Sequence, residues 1–313
     1  MNSSTTLMRV GIDLGGTKIE GIALDPAGGV AARLRRPTPE GYARTVSGIA
    51  ELVGEIAATI APRGGRVASV GVGIPGAISP ATGLVKNANA TALIGHPLDR
   101  DLTAALGRPV RVANDANCFT VSEAADGAGR GANAVFGVIL GTGVGGGVVV
   151  AGRVLTGANA IAGEWGHNPL PRPADDERPG PRCYCGRLGC VEAFLSGPGL
   201  SRDHRQATGR SESPAAIVAA AEAGDQEADA SLARYEDRLA RALASVINLL
   251  DPDVIVLGGG LSKIARLYRT IPLLWVPHVF SDRIDTVLKP PAHGDSSGVR
   301  GAAWLWSAEE LPA

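Results

Sequence analysis

One pattern constrains the fold of this chain before any other. A strand, a glycine turn, a second strand, another turn and a third strand are written twice. The first copy runs through Val10–Leu14, Gly15-Gly16, Thr17–Leu24, a turn at 25–29 and Val30–Arg36. The second runs through Val135–Leu140, Gly141-Thr142-Gly143, Gly147–Val150, Ala151-Gly152-Arg153 and Val154–Thr156. Short β-rich runs punctuated by Gly, Asp and Pro read as strands and turns. Repetition of a whole plan predicts two related α/β domains facing each other, and 313 residues suffice for both.

The intervening segments fit that plan. Val46, Ile49, Leu52, Val53, Ile56 and Ile60 keep a helical period, and Val67–Val72 is a strand ending in Gly73-Ile74-Pro75-Gly76. Arg108–Val112 is a strand ending at Asn114-Asp115, where a helix begins that runs to about Ala125. Helical spacing returns over Leu232–Leu250 and stops at Asp251-Pro252-Asp253. Val254–Leu257 is a buried strand, Gly258-Gly259-Gly260-Leu261-Ser262 opens a further helix, and Ser297–Leu311 is a closing helix. The division expected is a small domain over 1–117, with the 297–311 helix packed back on it, and a large one over 118–296.

Composition excludes several function classes. Thirty Lys and Arg against 31 Asp and Glu leave a net charge of −1, so nothing draws the chain to nucleic acid or a membrane surface. No apolar run reaches spanning length, and the polar stretch Met1–Thr6 is not a signal peptide. The expected location is the cytoplasm, where clustered cysteines signal metal more than crosslinks.

Such a cluster lies at His167, Cys183, Cys185 and Cys190, within G-E-W-G-H and C-x-C-G-x-x-G-C-x-E. One imidazole and three thiols make a closed tetrahedral set for structural Zn²⁺, with no open position for a substrate. Cys118 stands apart and reads as a small buried hydrophobe. Glu164, His167 and Glu192 offer paired hydrogen-bonding groups suited to vicinal hydroxyls. Asn87 and Asn89 could do the same or simply mark a turn. His96, His204, His278 and His293 read as surface or loop residues.

Three glycine clusters follow strands: Asp13-Leu14-Gly15-Gly16-Thr17-Lys18, Gly141-Thr142-Gly143 with its following glycines, and Gly258-Gly259-Gly260. Backbone N–H groups without Cβ atoms can converge on a nucleotide's phosphates. Two formal motif matches fail. Gly141-x-Gly143-x-x-Gly146 fits a dinucleotide fingerprint and Gly11–Lys18 nearly fits a P-loop, but each leads into a strand where its motif needs a helix. Both loops read as β-hairpin phosphate clamps. Asn114-Asp115 admits two readings: a helix N-cap, or a carboxylate that accepts a substrate hydroxyl's proton.

Together these residues resemble the ROK family of sugar kinases, part of the actin/hexokinase/Hsp70 superfamily. The likeness runs from Gly11-Ile12-Asp13-Leu14-Gly15-Gly16-Thr17-Lys18 to His293-Gly294-Asp295-Ser296-Ser297-Gly298 and on to Ala303. Its most specific pieces are Asn114-Asp115-Ala116-Asn117-Cys118, Gly163–His167 and Cys183–Glu192. The resemblance implies a two-lobed, ribonuclease H-like α/β fold with duplicated sheets and a zinc loop, closing around ATP-Mg²⁺ and a hexose. Asp115 would be the catalytic base. Gly76, Asn89, Asn114, Glu164, His167 and Glu192 would bind the sugar, His167 also ligating zinc through its other nitrogen. Asp13, Gly15, Gly16, Thr17, Lys18, Gly141, Thr142, Gly143, Gly259 and Gly260 would serve the nucleotide, Asp13 near Mg²⁺. Lys86–Asn89, Glu164–Pro171 and Ala302–Trp306 are most similar to bacterial fructokinases that also take mannose. The implied reaction is therefore phosphorylation of fructose at the 6-hydroxyl. Glucose, N-acetylglucosamine and N-acetylmannosamine are the alternatives. N-acetylglucosamine kinases usually carry Phe and Met around the histidine, where this chain has Trp165 and Asn168. A ROK regulator would need a helix-turn-helix domain before residue 11. The implied assembly is a homodimer or homotetramer.

Overall fold

A computed structural model describes residues 5–88 and 90–311. In chain order the strands and helices begin with β1 (Thr6–Leu14), β2 (Lys18–Leu24), β3 (Val30–Pro37) and α1 (Tyr42–Ile60). There follow β4 (Gly65–Ile74), β5 (Ala77–Ile78), β6 (Val85–Lys86), α2 (Leu98–Leu106), β7 (Val110–Asn114) and α3 (Asp115–Ala125). Then come β8 (Ala134–Leu140), β9 (Val144–Val150), β10 (Arg153–Val154), α4 (Val191–Leu195), α5 (Gly197–Thr208) and α6 (Pro214–Glu222). The series closes with α7 (Gln226–Leu250), β11 (Val254–Gly258), α8 (Leu267–Leu274), β12 (Val287–Lys289) and α9 (Ser297–Ala303). No described helix is long and apolar enough to cross a membrane.

The chain divides into two units. One holds Met1–Arg130, Gly152–Ala162 and Asp295–Ala313; the other holds Gly131–Ala151 and Gly163–Gly294. The division differs from one at residue 117 because α3 packs on α9, within the first unit. That packing is backbone on backbone: a Cβ at Gly301 would land on the Cys118 carbonyl, and one at Gly11 or Gly71 on the carbonyls of Val299 or Ala302.

In the first unit the sheet order is β3-β2-β1-β4-β7. β1 pairs antiparallel with β2 and parallel with β4, which is parallel to β7. In the second unit β9, β8, β11 and β12 repeat this: an antiparallel hairpin, then two parallel neighbours. The central parallel strands β4 and β11 read as near-continuous apolar runs because both faces are covered; Val70, Val72 and Ile74 of β4 are completely buried.

Helix α1 follows its sequence pattern. Ile49, Leu52, Val53, Ile56 and Ile60 are buried, and a Leu52→Ala cavity would destabilise by about 2–5 kcal/mol. Pro62 and the left-handed Gly64 end that segment. Helix α7 starts at Gln226, earlier than its apolar pattern suggests. The Asp225 carboxylate accepts the Glu227 and Ala228 N–H groups, both at 3.0 Å, and so fixes the start.

Two helices are shorter than expected. After β11 the Ser262 hydroxyl turns back onto the Gly259 carbonyl at 2.7 Å, and only a 3₁₀ turn forms at Gly260–Lys263 before α8. The closing helix stops at Ala303 because two tryptophans leave it to be capped by cations. Arg9 lies over Trp304 at 4.5 Å and Arg111 over Trp306 at 4.1 Å, while Trp306 Nε1 donates to the Val70 carbonyl at 2.8 Å. His204, expected at the surface, is fully buried in α5 with Nδ1 3.0 Å from the Ser231 hydroxyl.

Candidate active site

In the first unit three parallel strands end at one edge. The register sets Asp13 beside Gly73, Gly73 beside Ala113 and Ile74 beside Asn114. Asp13 and the Asn114-Asp115 pair therefore emerge from the same sheet edge, one strand apart, where open α/β sheets place ligands. Asn114 is the N-cap of α3: the Ala116 N–H is shared by Asn114 Oδ1 and Asp115 Oδ1, each at 2.8 Å. Asn114 occupies the cap position, and Asp115, which shares that N–H, is exposed as the first helical residue.

The Asp13 carboxyl is pushed up to about 6, first by burial, then by the charges of Asp115 and Glu20, with Lys18 opposing. Two carboxylates held near each other at a strand edge are a natural counterpart for a cation. Below them the Cys118 thiol is completely buried and its pKa driven up, mainly by burial. Cys118 is a core residue, as its sequence context indicates.

The turn after β1 is tied down from behind. Gly15 N–H donates to the Lys18 carbonyl at 3.0 Å, and the Thr38 hydroxyl donates to the Gly15 carbonyl at 2.7 Å. Gly16, Thr17 and Lys18 face solvent. Around Gly16 nothing lies within 4 Å of where a Cβ would stand. Gly76 is different: it is buried, and a Cβ there would meet Ala88 and the Lys86 carbonyl, each at 2.9 Å. Packing alone accounts for that glycine. Asn87 adopts a left-handed turn conformation with φ 55°. Asn89 lies outside the described residues.

In the second unit the β8–β9 hairpin carries Gly141-Thr142-Gly143, with Gly141 N–H donating to the Gly143 carbonyl at 3.0 Å. Thr142 is exposed, and a Cβ on Gly141 would meet nothing. Gly259 lies beside this hairpin's base; its φ is 79°, and a Cβ there would strike the Leu140 carbonyl. Gly260 next to it is open.

Gly146 of the hairpin serves packing. A Cβ on Gly146 would meet the Gly163 carbonyl at 2.7 Å and the Trp165 ring at 2.8 Å. Trp165 is buried against Phe136, edge to face at 5.7 Å, and its Nε1 donates to the Gly145 carbonyl at 3.0 Å. Gly146 and Gly163 thus let the Gly163–His167 segment lie flat on β9. Glu164 is left exposed at the start of the 3₁₀ turn Trp165–His167, and its side chain makes no cap hydrogen bond there.

Glu192 joins the two loops. Its Oε2 accepts the Val144 N–H at 3.0 Å, and Cys183 Sγ donates toward Oε1 at 3.6 Å. Val191 N–H donates to the Asn168 carbonyl at 2.8 Å, which clamps the histidine segment onto the cysteine loop.

His167, Cys183, Cys185 and Cys190 come together with all ligand atoms within 4.8 Å of one another. His167 Nδ1 is 3.6 Å from Cys183 Sγ, and Cys185 Sγ is 3.6 Å from Cys190 Sγ. One nitrogen and three sulfurs at these separations match the tetrahedral donor set of zinc, whose Zn–S bonds are about 2.3 Å. All four cysteines of the chain are free thiols. Burial raises Cys183, and raises Cys190 to about 12, whereas the Arg187 backbone N–H lowers Cys185. A dication would hold all three as thiolates.

The ROK family profile matches residues 9–309. The chain belongs to the ROK family of sugar kinases. An N-acetyl-D-glucosamine kinase of Salmonella paratyphi C is 40% identical to this ROK chain over 307 residues, covering 95% of it and 99% of the relative. The ROK hexokinase of Thermus thermophilus superposes with a TM-score of 0.83 at 32% identity, over 95% of this chain and 97% of that one. A ROK glucokinase from Streptomyces griseus, in complex with glucose and AMPPNP, gives 0.72 at 27% identity, over 95% and 98%.

Sequence reasoning overlooked one residue beside the histidine of this ROK chain. Tyr184, between two of the metal-site cysteines, sets its hydroxyl 3.0 Å from His167 Nε2. Burial, followed by the charges of Glu192, Cys183 and Glu164, pushes that hydroxyl up to about 12. The signal was present in the C-Y-C spacing itself, since a residue between two ligands must project beside the metal site.

Proposed function

We propose that this protein transfers the γ-phosphate of ATP to the 6-hydroxyl of a hexose, with N-acetyl-D-glucosamine as its first substrate. The observation that carries the reading is the exposed Asp115 carboxylate beside Asp13 at the strand edge. Phosphoryl transfer asks a protein mainly for positioning and charge stabilisation. An ordinary ionised aspartate suffices to take the hydroxyl's proton late in the transfer. Asp115 fills that role. The Ala116 N–H that it shares with Asn114 holds its carboxylate at the helix start.

Gly15, Gly16, Thr17, Lys18, Gly141, Thr142 and Gly143 cradle phosphates in this reading, with Gly259 and Gly260 toward the nucleoside. Gly16, Gly141 and Gly260 support it, because the fold itself gives no steric reason for glycine at those three positions. Mg²⁺ accompanying ATP would neutralise phosphate charge, and Asp13 is the carboxylate suited to face it. Glu164, His167 and Glu192 hold sugar hydroxyls. Zinc, bound by His167, Cys183, Cys185 and Cys190, supplies a fixed loop and no chemical step.

Choice of sugar follows the relatives. A chain 40% identical over nearly its whole length is named for N-acetyl-D-glucosamine. The fructose and mannose reading leans on Trp165 and Asn168. Trp165, however, is buried and bonded to β9, so it reports packing more than specificity. Fructose stays as the second reading on the exposed Asn168. A homodimer or homotetramer remains part of the proposal, checked by light scattering.

The test is ADP release with N-acetyl-D-glucosamine, glucose, mannose and fructose, ranked by kcat/KM. N-acetyl-D-glucosamine is expected first, and Asp115→Ala is expected to lower kcat by about 10²–10⁴-fold. Silence on every sugar, or an Asp115→Ala enzyme that keeps its rate, refutes the reading.

A further inference from the structure

We propose that Tyr184 is a displaceable cap on His167, which the sugar must remove to bind and which therefore sets sugar affinity. The inference rests on the proposed seat of the sugar at Glu164, His167 and Glu192.

His167 has two ring nitrogens, and both are engaged. Nδ1 turns into the thiol cluster, 3.6 Å from Cys183 Sγ, while Nε2 meets the Tyr184 hydroxyl at 3.0 Å. With Nδ1 given to the metal donor set, Nε2 is the one nitrogen that can reach a sugar hydroxyl. Tyr184 holds that position and stacks edge to face on the imidazole at 5.1 Å and 84°.

Little fixes Tyr184 there. It is 77% exposed, and its hydrogen bond to His167 competes with water. Its backbone is a different matter. Cys183 and Cys185 flank it as donors to one metal site, and Gly186 N–H closes a turn onto the Cys183 carbonyl at 3.0 Å. Departure is thus a rotation of the side chain about a fixed backbone. Such rotation is fast and needs no loop opening. Glu164 and Glu192 remain in place to receive the sugar.

Removing the hydroxyl but keeping the ring isolates the competition. Isothermal titration of zinc-loaded Tyr184→Phe with N-acetyl-D-glucosamine is expected to show sugar Kd lowered about threefold to tenfold, the scale of one lost competing hydrogen bond. Sugar KM is expected to fall in parallel, with kcat, nucleotide KM and zinc content unchanged. A Kd that is unchanged or raised overturns the cap, and so does a loss of zinc, which would mark Tyr184 as part of the metal loop. Glu164→Gln separates the two levels of failure. If it weakens sugar binding while Tyr184→Phe does nothing, the cap alone is wrong. If Glu164→Gln leaves sugar binding intact, the sugar does not sit here and both ideas fall.

Discussion

The Glu192 carboxylate accepts the Val144 N–H at 3.0 Å, and so ties the cysteine loop to the glycine hairpin of β8 and β9. A Cβ on Gly143 would meet the same Oε2 at 2.7 Å, so the hairpin and the carboxylate are fitted to each other. In the proposed reading Glu192 is therefore more than a sugar contact. Glu192→Ala is expected to raise KM for both sugar and nucleotide, each by about fivefold to tenfold if one hydrogen bond of roughly 1 kcal/mol is lost. Glu192→Gln retains an acceptor for Val144 and should restore nucleotide KM while sugar KM stays raised. Steady-state kinetics with each substrate varied in turn distinguishes this from a sugar contact alone, which would leave nucleotide KM untouched in both variants.

Glycines of one hairpin should separate into two kinds. Gly141→Ala meets no atom and keeps a negative φ, so its melting temperature should match wild type while nucleotide KM rises about tenfold or more, because a methyl group would stand where the proposed phosphate site lies. Gly146→Ala drives a methyl into Trp165 and the Gly163 carbonyl, and should cost about 1–3 kcal/mol of stability. Thermal unfolding and nucleotide titration of the two proteins check this. A destabilised Gly141→Ala enzyme with normal nucleotide KM would place that glycine in the packing class.

That contrast shows where the sequence runs out. The doubled strand-turn-strand plan was legible because alternation and Gly-Asp-Pro punctuation act locally. The convergence of His167, Cys183, Cys185 and Cys190 was legible because four such side chains within one short segment leave few other uses. A glycine with open space around it, such as Gly141, and one that admits a tryptophan, such as Gly146, look identical in sequence; the difference lies in a neighbour from another segment. The ends of α9 and the burial of His204 were hidden for the same reason. Arg9 and Arg111 draw Trp304 and Trp306 away from the helix axis, and Ser231 reaches His204 from α7. Both depend on residues far along the chain, which periodicity cannot see.

Metal removal supplies a third test. About one zinc per chain is expected by elemental analysis of the purified protein, and Cys185→Ala should hold far less. Metal binding is coupled to the stability of the loop. The apo protein should therefore melt at a lower temperature, with sugar KM raised more than nucleotide KM, since His167 and Glu192 lie on the metal loop. Full zinc content in Cys185→Ala, or an apo protein with unaltered melting, would remove this cluster from consideration as a structural metal site.

The Asp13 carboxyl gives the pH dependence its sign. Its folded-state value of about 6 lies above the ordinary 3.8, because burial and the Asp115 charge disfavour ionisation. Between those limits the folded chain binds more protons than the unfolded one, so ionised Asp13 opposes folding at neutral pH. The penalty is present in full above about 6 and fades as pH falls toward 3.8. Asp13→Asn should therefore raise the melting temperature at pH 7.5 and lose that advantage by about pH 4. Asp115→Asn removes one of the charges acting on Asp13, and should move the same transition to lower pH. Both variants should be catalytically impaired, so stability and activity part company at this pair. Melting curves of the three proteins from pH 4 to 8 decide the matter. A constant offset between wild type and Asp13→Asn across that range would mean that Asp13 does not titrate within it.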